Sequence, residues 1–240
     1  MQARSQEDSA ARSGDVEGLA DVVAAAFPRA LAETQRSLVA TAEIEAFRPR
    51  QTVVPQGDES LVGLVLEGHV GFRRTTVDGR EVIPMIASRG ELGPFMPIAG
   101  RPFTTDLLGL SPGRIALWSG ADVHALAARD SGFALDLLEH VLRAVEVIVE
   151  RMDGLLYQNA LRRVARILSQ HADLLFDGAP GMTRAYLPAL VGTSREMTGR
   201  VLRQLESDGV VRRVGRDRLR LLDADRLALA AAPPPTPQEP

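Results

Sequence analysis

The 240-residue chain is 45% hydrophobic and 25% charged, with a net charge of −3, a composition that reads as an ordinary soluble protein of one large domain or two modest ones. It contains no cysteine, which excludes disulfides, Cys-ligated zinc and cysteine-held iron–sulfur clusters. No apolar run approaches the ~18–20 residues of a membrane span.

Residues 1–15 are polar, carry both signs of charge and lack the apolar segment of a secretory leader. A frayed N-terminus and a cytoplasmic location are expected. Val16–Phe27 has helical spacing and stops before Pro28, and a second helical stretch follows over Pro28–Thr41. From Glu43 to about Ser119 the pattern changes to short apolar runs divided by Gln56–Gly57–Asp58, Glu67–Gly68, Asp78–Gly79, Arg89–Gly90 and Ser111–Pro112–Gly113. Such regular turns predict an antiparallel sandwich or barrel, with Asp78–Gly79 as a two-residue hairpin turn.

After Asp130 the spacing becomes helical. Leu138, Val141, Val145, Ile148, Met152, Leu155 and Asn159 repeat at alternating intervals of three and four. This is the seam of a parallel coiled coil, so the helix is expected to pair with its own copy. Leu161–Phe176 reads as one further helix, Asp177–Gly181 as a loop and Ala232–Pro240 as a disordered tail.

Charge is unevenly spread. Residues 162–222 hold 12 Arg against 6 acidic residues, a balance of +6, which leaves −9 on the rest. A basic third on an acidic body is the footprint of a nucleic-acid-binding module. Within it, Thr183 is placed to cap a helix burying Leu187, Leu190 and Val191, and Gly192 supplies a tight turn. Ser194 then caps a second helix that buries Val201, Leu202 and Leu205. Two helices on such a turn form a helix-turn-helix, whose second helix enters the major groove by its N-terminus. Arg195, Glu196 and Arg200 lie at that end and are the candidate base readers, Arg for guanine and Glu for cytosine. Thr193 and Ser194 suit phosphate contacts. Val210–Val214 and Arg218–Leu222 read as a hairpin wing that offers Arg212, Arg213, Arg216, Arg218 and Arg220 to the DNA backbone.

The segment VGTSREMTGRVLRQLESDGVV resembles the DNA-binding segment of the Crp/Fnr family, and with the turns QGDES and LEGHV the resemblance spans Val39 to Leu229. It implies an α+β protein: an antiparallel β-roll sensor over residues 16–130, a dimerisation helix over 131–160 and a winged helix-turn-helix over 161–231. It further implies a homodimer on near-palindromic double-stranded DNA, with RNA polymerase as a second partner and no membrane. Two departures stand out. Pro188 lies inside the first helix, which it should bend, and Thr198 stands where relatives have a buried Val.

Cyclic-nucleotide-binding relatives hold ribose with Gly-Glu and phosphate with Arg-Ser or Arg-Thr. Gly90–Glu91 match the first pair, but Phe103–Thr104 fall where the second is expected, leaving Arg101, Thr104 and Thr105 as the nearest substitutes. Ile148 and Val149 fall where relatives present hydroxyls to the purine. An effector other than classically bound cyclic AMP is therefore expected, and no cofactor. His69, His124, His140 and His171 read as structural or surface residues rather than haem ligands. The competing readings are a ligand-independent repressor or DNA-architecture protein, and a cupin-like metal enzyme, for which the β region offers no His-x-His pair.

Overall fold

The computed structural model describes residues 18–176, 184–215 and 218–232. The frayed N-terminus, the Asp177–Gly181 loop, Thr183, Arg216 and residues 233–240 of the tail lie outside them. The elements run α1 (18–26), α2 (Ala32–Thr41), β1 (Glu43–Phe47), β2 (Thr52–Val54), β3 (Leu61–Glu67), β4 (Val70–Thr75), β5 (Glu81–Val82), β6 (Ile86–Ala87), β7 (Leu92–Gly93), β8 (Asp106–Gly109) and β9 (Gly113–Ser119). Then come α3 (Gly120–Ala127), α4 (Ser131–Tyr157), α5 (Ala160–Gln170), α6 (Ala172–Leu175), α7 (Leu187–Val191), α8 (Arg195–Ser207), β10 (Val211–Val214), β11 (Arg218–Leu221) and α9 (Ala224–Ala231). Contacts group these into two units, residues 1–74 with 85–147 and residues 75–84 with 148–240.

The first unit is an antiparallel sandwich. One sheet has the order β1-β9-β3-β7, and the second places β8 between β2 and β4 with β6 on the far side of β4. β3 and β9 read as continuous apolar runs because both faces of their sheet are covered. Val65, Ile115 and Leu117 face inward onto Val54, Val70, Phe72 and Leu107. The alternate residues Val62, Leu64, Leu66 and Trp118 face a helical layer of Leu19, Val23, Phe27, Leu38, Phe133 and Leu137.

Asp130 joins that layer together. One carboxylate oxygen accepts from the Phe133 amide at 3.1 Å and so caps α4. The other accepts from the Leu31 amide at 2.7 Å and the Thr34 hydroxyl at 2.6 Å, at the start of α2, whose own N-cap residue, Leu31, makes no side-chain cap. One buried carboxylate therefore caps two helices. Beside it, Arg29 pairs with Asp136 at 2.9 Å and Glu139 at 2.6 Å.

His140 is buried on α4, and its Nε2 donates to the Ala26 carbonyl at 3.0 Å while the ring meets Phe27 edge-on. Burial is the main reason that its pKa falls below the usual 6.5, and the Arg143 charge adds to the effect. The unfolded chain thus takes up the proton first on acidification. The neutral ring's contribution to stability is complete above pH 6.5 and declines as pH falls through that value. Urea midpoints at about pH 7.5 and about pH 5.5 are expected to separate more in wild type than in His140→Gln. Equal separations would remove His140 from the acid response.

In the second unit, α5 buries Val164, Ala165, Ile167 and Leu168 against α7, α8 and α9. Several expectations change here. Asn159 is not the last seam position of the long helix: α4 stops at Tyr157, and Asn159 caps α5 by accepting from the Arg162 amide at 2.9 Å. The Leu161–Phe176 helix breaks at His171 into α5 and α6. The β4–β5 turn is wider than two residues. Thr76 pairs with Arg80 around Val77–Asp78–Gly79, with Gly79 at φ 77 in the left-handed position that closes a three-residue loop. No helix among the described residues is long and apolar enough to cross a membrane.

Candidate nucleic-acid interface

α7 and α8 are joined by Gly192–Thr193–Ser194. Gly192 has φ 68, and a Cβ there would come within 2.8 Å of Leu155, so both backbone and packing call for glycine. Its amide and that of Thr193 donate to the Pro188 carbonyl, ending α7. Ser194 caps α8 by accepting from the Met197 amide at 3.1 Å, with Glu196 in the first turn.

Neither departure in this motif disturbs it. Pro188 does not sit in a helix interior. A short 3₁₀ turn over Arg184–Tyr186 leads into α7, and Pro188 occupies the first α-turn, where proline is tolerated. Thr198 is buried, and its hydroxyl donates to the Ser194 carbonyl at 3.0 Å, so the polar atom that a Val would lack is satisfied.

The structure brings Arg195, Glu196 and Arg200 together, all exposed, at the N-terminal end of α8. Arg200 and Glu196 form an i,i+4 pair at 3.3 Å with both side chains largely in water, a contact worth only a few tenths of a kcal/mol and readily exchanged. Arg195 also lines a groove of about 360 Å³ with Pro188, Thr198, Gly199, Arg203 and Arg213. Arg203 was not among the candidates, because a lone Arg on the solvent side of a helix has no sequence signal.

In the wing, β10 and β11 pair with Arg212 opposite Arg220 and Val214 opposite Arg218. Alternation puts Arg212, Arg218 and Arg220 on the exposed face, while Val211 and Leu219 are buried. Like charges placed directly across a ladder, as Arg212 and Arg220 are, destabilise it. Arg213 differs from its neighbours, since it pairs with Glu206 at 2.6 Å.

The candidate effector residues are not assembled as expected. Gly90 forms a turn at φ 84, and the Glu91 carboxylate folds back onto the Ser88 amide at 2.6 Å and hydroxyl at 2.9 Å. Arg101 and Thr104 are exposed, whereas Thr105 is buried with its hydroxyl unpartnered. Ile148 and Val149 are exposed on α4 and belong to the second unit. Glu91 lines a cavity of the first unit together with Met85, His140, Arg143 and Val147. That cavity is about 50 Å³, against the ~300–1,000 Å³ of drug-sized ligand sites. Among the described residues no group of three His, Asp or Glu is placed to hold a metal.

Residues 162–230 match the family model of the Crp-like helix-turn-helix domain. Solved structures share the fold. FixK2 from Bradyrhizobium japonicum is 20% identical, with a TM-score of 0.66 over 81% of this chain and 99% of its own. The c-di-GMP responsive global regulator CLP of Xanthomonas campestris is 22% identical, with a TM-score of 0.67 over 80% of this chain and 100% of its own. A transcriptional regulator of the CRP/FNR family from Thermus thermophilus is 19% identical, with a TM-score of 0.67 over 79% and 98%. No curated protein sequence matches the chain.

Proposed function

We propose that this chain, a Crp/Fnr-type transcription regulator with a helix-turn-helix DNA-binding domain, works as a homodimer reading a near-palindromic site with G·C-containing half-sites. The observation that carries this is the start of α8. A capped helix N-terminus holds Arg195, Glu196 and Arg200 exposed, and the wing offers a face of three Arg. Arg195 and Arg200 read guanine, Glu196 accepts from cytosine, and Thr193, Ser194, Arg212, Arg218 and Arg220 hold phosphates. Arg213 contributes less because Glu206 already compensates its charge.

The long helix supports the dimer. Leu135, Leu138, Leu142, Val145, Val149, Met152 and Leu156 follow an unbroken alternation of three and four, and each is between 49% and 68% exposed. This line shares Leu138, Val145 and Met152 with the expected seam, whose Ile148 and Leu155 are also exposed at 42% and 43%, and adds the more exposed Leu135, Leu142, Val149 and Leu156. Leu155 also lies against Gly192. Paired on this line, two protomers would present their α8 helices about 34 Å apart, one turn of DNA.

RNA polymerase remains the proposed second partner and the cytoplasm the proposed location. Cyclic AMP held in the usual way is not part of the proposal, because Ile148 and Val149 are apolar and the Glu91 carboxylate is engaged with Ser88.

Selection from a random duplex pool with purified protein tests the reading. A two-fold symmetric motif is expected. Arg195→Ala and Arg200→Ala should each cost ~1–3 kcal/mol and relax the preference at one base pair, whereas Arg212→Ala should weaken all sequences evenly and reduce the salt slope by about one. A flat sequence profile with a steep salt slope would point to an architectural protein instead.

A further inference from the structure

α7 is only five residues long, and its last carbonyls are satisfied from outside the helix. Gly192 and Thr193 take the Pro188 carbonyl. The Ala189 carbonyl accepts from the Ile83 amide at 3.1 Å and from the Arg151 guanidinium at 3.2 Å, and the Leu190 carbonyl also accepts from Arg151. The other arm of the same guanidinium donates to the Pro84 carbonyl at 3.3 Å. Arg151 of α4 thus ties three backbone carbonyls, two at the end of α7 and one at the end of the hairpin segment 75–84.

This arrangement is unusual for an arginine. Arg151 forms no ion pair among the described residues, and the like charge of Arg166 acts on it. Desolvation is the larger influence and pushes its pKa down to about 10. A partly buried cation without a carboxylate costs stability. It is offset here by hydrogen bonds that only a planar fork with several donors makes at once. α7 in turn packs its buried Leu187, Leu190 and Val191 with α8, which buries Val201, Leu202 and Leu205. The position of the base-reading helix therefore follows that of α7. Segment 75–84 is covalently continuous with β4 on one side and β6 on the other.

We infer that Arg151 is a positioning residue for DNA binding, a tie through which the end of the β4–β5 hairpin sets the placement of α7 and hence the DNA affinity. The inference rests on the DNA-binding reading above. It assigns hairpin segment 75–84 the role of transmitting strain into the helix-turn-helix, and by reciprocity DNA bound to α8 steadies that segment.

The test uses the full chain, the selected duplex and hydrogen exchange. In wild type, exchange at the Ile83 amide is expected to slow when the duplex binds. Arg151→Met, which keeps length and removes every donor, is expected to speed exchange at Ile83 without DNA and to weaken binding about tenfold. Exchange at Val65 and Ile115 in the sandwich should not change, which shows the variant is folded. Pro84→Gly loosens the same tie from the other side, so it should weaken binding alone but add nothing to Arg151→Met. Arg151→Lys, with a single donor group, should recover only part of the affinity. Arg151→Met that binds as tightly as wild type, or losses from Arg151→Met and Pro84→Gly that simply add, would overturn the inference while leaving the DNA-binding reading intact. Wild-type protein that enriches no duplex would instead overturn that reading, and this inference with it. Faster exchange at Ile83 in Arg151→Met would then still register the tie as a structural contact alone.

Discussion

Val149→Glu on the long helix is expected to turn the dimer into monomers and to weaken binding to a two-half-site duplex by at least ~100-fold, the scale of the avidity gained by linking two binding modules. The reasoning starts from the exposed line on α4. Half-exposed Leu, Val and Met side chains gain roughly 1 kcal/mol each on full burial, so seven from each protomer supply on the order of 10–15 kcal/mol before the cost of association. In the proposed dimer, a Glu at a seam position would meet its own copy across the two-fold axis and place two like charges in a dry interface at several kcal/mol per ion. Ile148→Glu, one residue away, is the informative control. Ile148 belongs to the line read from the sequence and Val149 to the more exposed line. Sedimentation should give monomers for Val149→Glu and mostly dimers for Ile148→Glu. The reverse result would restore the Val141–Ile148–Leu155 seam.

The choice between those two lines shows where sequence patterning stops. Both are regular heptad stripes, and they share Leu138, Val145 and Met152. Choosing between them requires knowing what covers the flanks, such as Gly192 against Leu155, and that is a tertiary contact. The helix-turn-helix was far more legible because its signals are local. Ser194 caps, Gly192 turns and Leu202 buries within a span whose hydrogen bonds close on themselves. Pro188 misled for a related reason. The rule against proline applies to helix interiors, and only the start of α7 at Leu187 shows that Pro188 stands in the first turn. In the hairpin, Asp78–Gly79 marked the turn, but Thr76 pairing with Arg80 made it one residue wider. Asp130 carried a signal only for capping α4, since its partners at the start of α2, Leu31 and Thr34, lie about a hundred positions upstream.

Asp130→Ala is accordingly expected to cost about 3–5 kcal/mol of unfolding free energy, the largest stability loss of any single change considered. Each N-cap lost costs ~0.5–2 kcal/mol, and each hydrogen bond to a buried carboxylate about 1.5–3 kcal/mol, with the terms overlapping because they share one group. The truncation also leaves the Leu31 amide and the buried Thr34 hydroxyl without that acceptor. Desolvation pushes the Asp130 carboxyl upward, but the bonds from Thr34, Leu31, Phe133 and Gly132 outweigh it and hold the pKa below the usual 3.8. Its contribution is therefore complete above pH 3.8 and is lost as pH falls through the lower folded value. Urea unfolding at neutral pH is the measurement, with Asp130→Asn beside it. The amide keeps one carbonyl oxygen for one of the two helices and should lose about half as much. A loss below ~1 kcal/mol for Asp130→Ala would mean that water replaces the carboxylate at the starts of both α2 and α4.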